Sequence, residues 1–173
     1  MHMKNRIGFD IGGVILERPP LHVLFAIQRG RLSVNSIVDY AVPIRYVTQA
    51  IKGIAKKFDP ANTFLISKAS EPLAELTLSI LRRKNFFGFT GIPVDNVHFC
   101  KTVDQKVSQC NVCDIAHFVD DNPHVLSRLN KVLPSAHLVL FQHGGQQKQS
   151  LKLPFASYSI VGDDRYLYSA VFH

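Results

Sequence analysis

A chain of 173 residues with 46% hydrophobic content and a formal net charge of +7 is long enough to bury a sizeable core without disulfide or metal staples. No apolar run approaches the length that spans a bilayer, and the start, Met1-His2-Met3-Lys4-Asn5-Arg6, lacks the apolar stretch and cleavage site of a secretory signal. A cytoplasmic protein with no membrane partner is therefore expected, and three cysteines offer it no disulfide framework.

In chain order, Arg6 to Asp10 is a short apolar run that reads as a buried strand ending on one carboxylate. Gly12-Gly13 follows as a turn. Residues 12–32 carry Gly-Gly, Pro-Pro and Arg-Gly-Arg, and read as turns with one short helix over Leu21 to Gln28. Ile37, Tyr40, Ala41, Ile44, Val47, Ile51, Ile54 and Phe58 recur at helical spacing, with Pro43 expected to kink or restart that helix. Thr63 to Ser67 is the second strand. Ser70 has the character of an N-cap, with Glu71 and Pro72 suiting a first turn and Leu73, Leu76, Ile80 and Leu81 the buried face.

Val97 to Cys100 reads as a third strand, Asp104 to Cys113 as a helix, and Ala116 to Val119 as a fourth strand ending on Asp120-Asp121. Asn122-Pro123 opens another helix with Val125, Leu126 and Leu129 inward, and Leu138 to Phe141 is the fifth strand. Strands alternating with helices argue an α/β fold, a parallel sheet covered on both faces. Gly144 to Gln149 reads as a loop, and the aromatic-rich segment from Tyr158 to Phe172 is expected to pack on the core edge or on a second subunit.

Cys110 and Cys113 form one CxxC, but on the expected helix they share a face with Val107 and read as small core residues. His98, His117 and His137 lie in or beside strands without metal-ligand spacing, which suits structural histidines whose polar atoms are satisfied. The positive balance suits an anionic substrate or a nucleic acid. Its clusters, Lys56-Lys57 and Arg82-Arg83-Lys84, fit solvated helix ends better, where cations favour the helix dipole.

Adjacent carboxylates at a strand end repel unless a cation or proton lies between them, and hard oxygen ligands suit magnesium. The order Asp10, Ser67, Lys106, Asp120-Asp121 resembles the haloacid dehalogenase-like (HAD) superfamily of phosphatases and phosphotransferases, most specifically from Lys106 to Asp121. The resemblance implies a single three-layer Rossmannoid domain over residues 1–173, with a core of about residues 5–145, a C-terminal tail over 146–173 and a central five-stranded parallel sheet. It makes Asp10 the nucleophile that carries an aspartyl-phosphate. Ser67, Lys68, Lys106 and the backbone of Gly12 and Gly13 would bind the phosphoryl group. Asp10, Asp120, Asp121 and the Gly12 carbonyl would hold magnesium.

One position departs from the family's phosphatases. The residue two after the nucleophile is there a second Asp, the general acid and base, and here it is Gly12. Glu17 reads as a solvated turn residue rather than a replacement. A magnesium-dependent phosphohydrolase or phosphotransferase slow on alkyl phosphates is expected, since general acid-base catalysis is worth about a hundred- to ten-thousand-fold. The alternatives are a catalytically impaired phosphate-binding or regulatory protein and, as a subtype of the enzyme, a nucleic-acid end phosphatase. About 45 residues separate the Asp10 turn from the second strand and about 30 separate Ser67 from the third, most of it needed for crossover helices. No separate cap domain is expected, and an open site is compatible with a macromolecular phosphorylated partner.

Overall fold

The structure, a computed structural model, describes residues 5–32, 41–44, 46–142, 158–161 and 166–172. Its strands are β1 (Ile7–Phe9), β2 (Thr63–Lys68), β3 (Val97–Cys100), β4 (His117–Asp120), β5 (His137–Phe141) and β6 (Tyr158–Val161). They form one sheet in the order β3-β2-β1-β4-β5-β6, and every neighbouring pair is parallel. This is the Rossmann-type order, in which the chain starts centrally, winds outward one way and then the other. The five expected strands make up the central run. The sixth lies in the aromatic tail, beside β5, where a four-residue segment is too short for periodicity to reveal it.

The helices are α1 (Leu21–Gln28), α2 (Val47–Phe58), α3 (Glu71–Arg83), α4 (Phe86–Thr90), α5 (Val103–Val112), α6 (Pro123–Val132) and α7 (Leu167–Phe172). Alternation along the strands sorts the core into two layers. Ile7, Phe9, Leu65, Val119, Val139 and Phe141 share one apolar cluster with α2, α3, α4 and α7. Ile66, Phe118, Leu138 and Leu140 share the other with α5 and α6, including Cys110 and Cys113, so the CxxC is core packing. Phe118 packs across β1 in this second layer because β1 carries Gly8, where an added Cβ would stand 2.7 Å from its ring.

Two local expectations change. Residues 41–44 are not helical: Leu16 bridges Pro43 in antiparallel fashion, the Glu17 amide donates to the Val42 carbonyl and the Ile44 amide to the Ile15 carbonyl. Proline disfavours helical backbone before it and has no amide to donate, so the periodic signal is broken there and α2 begins only at Val47. Ile37 and Tyr40 lie outside the described residues. Ser70 stands at the N-cap of α3 with Pro72 in the first turn, but its side chain makes no capping hydrogen bond. The Lys56-Lys57 and Arg82-Arg83 pairs fall in the last turns of α2 and α3, as dipole complementarity favours. Among the described residues no helix is long and apolar enough to cross a membrane.

Candidate active site

The strand order reverses between β1 and β4, and in open parallel sheets that switch point opens a crevice at the carboxyl ends of the strands. Phe9 lies opposite both Leu65 and Val119, so Asp10 and Asp120 leave their strands at the same level. Ser67, near the end of β2, faces the same edge. One cleft of about 220 Å³ is lined by Asp10, Gly12, Arg18, Ser67, Lys68, Lys106, Asp120 and Asn122, with Leu73 and Val103 among its apolar neighbours.

Lys106 organises the charges. Thr102 caps α5 by accepting a hydrogen bond from the Gln105 amide at 3.1 Å, which starts the helix so that Lys106 points inward and is only 2% exposed. Its Nζ donates to Asp120 Oδ2 at 2.7 Å and lies 2.9 Å from Asp10 Oδ1. The second contact is an ion pair at an angle that does not make a hydrogen bond. Burial alone would lower the Lys106 pKa; Asp10 and Asp120 outweigh it and raise the ammonium above its usual range. Asp120, fully buried, is pushed up to about 7 by burial and then by the Asp10 charge, against the pull of Lys106 and of the Asn122 amide at 2.8 Å. One ammonium shared by two buried carboxylates leaves the pair under-neutralised.

Asp121 completes the acidic group. Oxygens of Asp10, Asp120 and Asp121 lie within 4.8 Å of one another, an all-oxygen donor set that could hold a metal ion. Burial raises the Asp121 pKa, and the Arg18 guanidinium, 2.7 Å from Oδ1, partly offsets this. The carboxylate folds over Gly13, whose φ of +88° and missing side chain both leave room for it. Gly13 and Asp121 face a second, more open cavity beside the cleft, with Arg18 and Asn122 on its border. Gly12 differs from its neighbour: its φ is outside the left-handed region, and an added Cβ would meet no atom within 4 Å.

All the residues singled out from the sequence thus lie at one edge, with Gly13 and Asp121 on its flank rather than in the central cleft. Glu17 is exposed on the segment that pairs with Val42, and the acidic cluster among the described residues consists of the three aspartates. Sequence reasoning missed Arg18 and Asn122. Arg18 meets Asp121 across 103 residues of chain, which no local pattern encodes. Asn122 had a weaker signal, an N-cap position immediately after a carboxylate pair, where its side chain accepts from the His124 amide. Comparison with models of known protein families and with curated proteins finds no match.

Proposed function

We propose that the chain is a HAD-like, magnesium-dependent phosphohydrolase or phosphotransferase that works through an aspartyl-phosphate on Asp10. The observation that carries this reading is the grouping of Asp10, Asp120 and Asp121 around Lys106 at the switch point, with Ser67 across the cleft. The donor set fits magnesium: three hard carboxylates converge, and burial together with the Asp10 charge pushes Asp120 toward neutrality. Asp10, Asp120, Asp121 and the Gly12 carbonyl would hold the ion, whose charge when bound offsets that on the phosphoryl oxygens.

The residues divide the chemistry. Ser67 and Lys68 hold phosphoryl oxygens, and Lys106 positions the Asp10 carboxylate and balances its charge. An Asp10 oxygen attacks phosphorus in line, the bond from phosphorus to the leaving oxygen breaks, and the leaving group takes the electron pair. Gly12 supplies no proton at that moment. Substrates whose leaving groups depart as stable anions, namely acyl, aryl or anhydride phosphates, are favoured over alkyl esters. Water then attacks the aspartyl-phosphate without a neighbouring base, so this second step is slow. An active phosphoenzyme with slow turnover also separates this reading from a purely phosphate-binding role.

The test is to incubate the protein with magnesium and radiolabelled acetyl phosphate and quench in acid. The expected result is a protein-bound label that hydroxylamine releases, absent from Asp10→Asn. No label on the wild type, or equal label on the variant, removes Asp10 as the nucleophile.

A further inference from the structure

Beside the acidic cleft lies a third, mostly apolar cavity of about 190 Å³, with Leu16, Val23, Val42, Leu73, Leu76 and Ile80 in its walls. We infer that it is the leaving-group subsite for a phosphate ester of an aromatic alcohol, an inference that rests on the phosphoryl-transfer reading above. Two observations independent of each other lead there: the shape and lining of the cavity, and the missing carboxylate at Gly12.

The cavity and the cleft share Gly12, Arg18, Pro19, Ser67, Lys68 and Leu73 as a common border. A molecule whose phosphoryl group sits between Ser67 and Lys106 therefore has one continuous path for the rest of its body. Gly12 forms part of that passage, and the space where a side chain would stand is empty to 4 Å. An apolar protein cavity of about 150 Å³ is sufficient for benzene, so one aromatic ring fits here. Its polar side chains are Glu17, Arg18, Ser67, Lys68 and Thr77, and the rest of the lining is mostly apolar. A sugar or polyol would bury several hydroxyls against the apolar majority of that lining, at a cost for each one left unpaired.

The chemistry selects the same class. As the bond from phosphorus to oxygen breaks, an aryloxide carries the electron pair away as a stabilised anion and takes its proton later from water. An alkoxide would need that proton in the transition state, from a carboxylate that position 12 lacks. The ring in the apolar cavity and the proton-free departure describe one substrate class, an aryl phosphate.

Binding separates this inference from turnover. Calorimetry on the full chain in magnesium would compare phenylphosphonate with methylphosphonate, two non-hydrolysable probes that differ in the ring. Phenylphosphonate is expected to bind on the order of tenfold tighter, the gain from burying one ring. Thr77→Phe, which fills the cavity, should abolish that preference and leave methylphosphonate affinity unchanged, whereas Thr77→Val should keep it. Val42→Trp, on the exposed rim, is a second occluding variant should the first not fold, and the same loss of preference is expected. Methylphosphonate binding with no gain from the ring, or a preference that survives a folded occluding variant, overturns the subsite while leaving the phosphoryl site standing. Failure of the wild type to bind either phosphonate overturns both.

Discussion

The two ends of β4 bury ionisable groups in opposite ways. At the carboxyl end, Asp120 is fully buried yet wired to Lys106, the Asn122 amide and, through the shared ammonium, Asp10. Three residues earlier, His117 packs edge-on to Phe58 with ring centroids 5.0 Å apart and lies 5.8 Å from the ring of His137. Its Nδ1 is buried without a hydrogen-bond partner, so the expectation of a fully satisfied histidine does not hold there. Burial, and then the neighbouring His137, push it down to about 4. Helix α7 closes this end: the Ala170 carbonyl meets His137 Nε2 at 3.0 Å, and Phe172 stacks on Phe58. Depth of burial therefore does not decide whether a group carries charge in this protein. Opposite charges within about 3 Å keep Lys106 charged at the carboxyl end, while burial beside the Phe58 and His137 rings favours neutral His117 at the amino end.

The largest effect on that contrast should come from Lys106→Met, which removes the ammonium shared by Asp10 and Asp120 and leaves both carboxylates buried. Losing one member of such a network costs about 3–5 kcal/mol. Urea unfolding at neutral pH is the measurement. A second substitution, Asp120→Asn, should recover part of the loss, because the repulsion disappears with the charge. Strict additivity of the two changes would mean that Lys106 and Asp120 do not act as a unit.

Next in size are the two adjacent glycines, which should respond oppositely. Gly12→Asp meets no atom within 4 Å and needs no left-handed backbone, so the fold should accept it. Alkyl phosphate hydrolysis should rise on the order of a hundredfold, with a much smaller gain on 4-nitrophenyl phosphate, whose leaving group needs no proton. Steady-state rates on both esters, with circular dichroism to verify folding, decide it; a folded variant without gain on either ester would show that Gly12 is not what limits turnover. Gly13→Ala, by contrast, puts a side chain at a φ of +88° and into the Asp121 carboxylate. Displacing a carboxylate proposed as a magnesium ligand should weaken magnesium binding by on the order of tenfold, as calorimetry would show, and unchanged affinity would take Asp121 out of the proposed metal site.

How much of this was legible in the sequence depended on distance along the chain. Asp10, Ser67 and Asp120-Asp121 each end a short apolar run, and β-rich runs announce strand ends, so their level at one edge could be read without coordinates. The departure at Gly12 was equally plain, but its backbone conformation and the open space beside it were not. Arg18, the apolar cavity and β6 were invisible for a common reason: each arises from segments brought together by the fold. The cavity needs residues 16–23, 42 and the face of α3 together, and β6 is a strand only because β5 offers it an edge. The helical reading failed locally over residues 41–44, where Pro43 turned a helical spacing of apolar residues into a strand-like flap against Leu16.

The smallest predicted effect lies at the closed end and concerns acid. The folded-state pKa of His117, about 4, is below the ordinary value of 6.5. As pH falls through 6.5 the unfolded chain takes up the proton first, since the folded pocket resists it. The stability that neutral His117 contributes is therefore complete above pH 6.5, declines as pH falls toward 4, and does not change further below that. With the partial exposure of the ring discounted, the loss by pH 5 is on the order of 1 kcal/mol. His98, lowered by burial against the Phe64 ring, gives a slope of the same sign elsewhere. His117→Leu should remove its share without touching that of His98. Urea unfolding at pH 7.5 and at pH 5 would then show a smaller drop for the variant than for the wild type. An equal drop in both would mean that the aromatic box does not hold His117 neutral, and the contrast between the two ends of β4 would rest on the carboxylates alone.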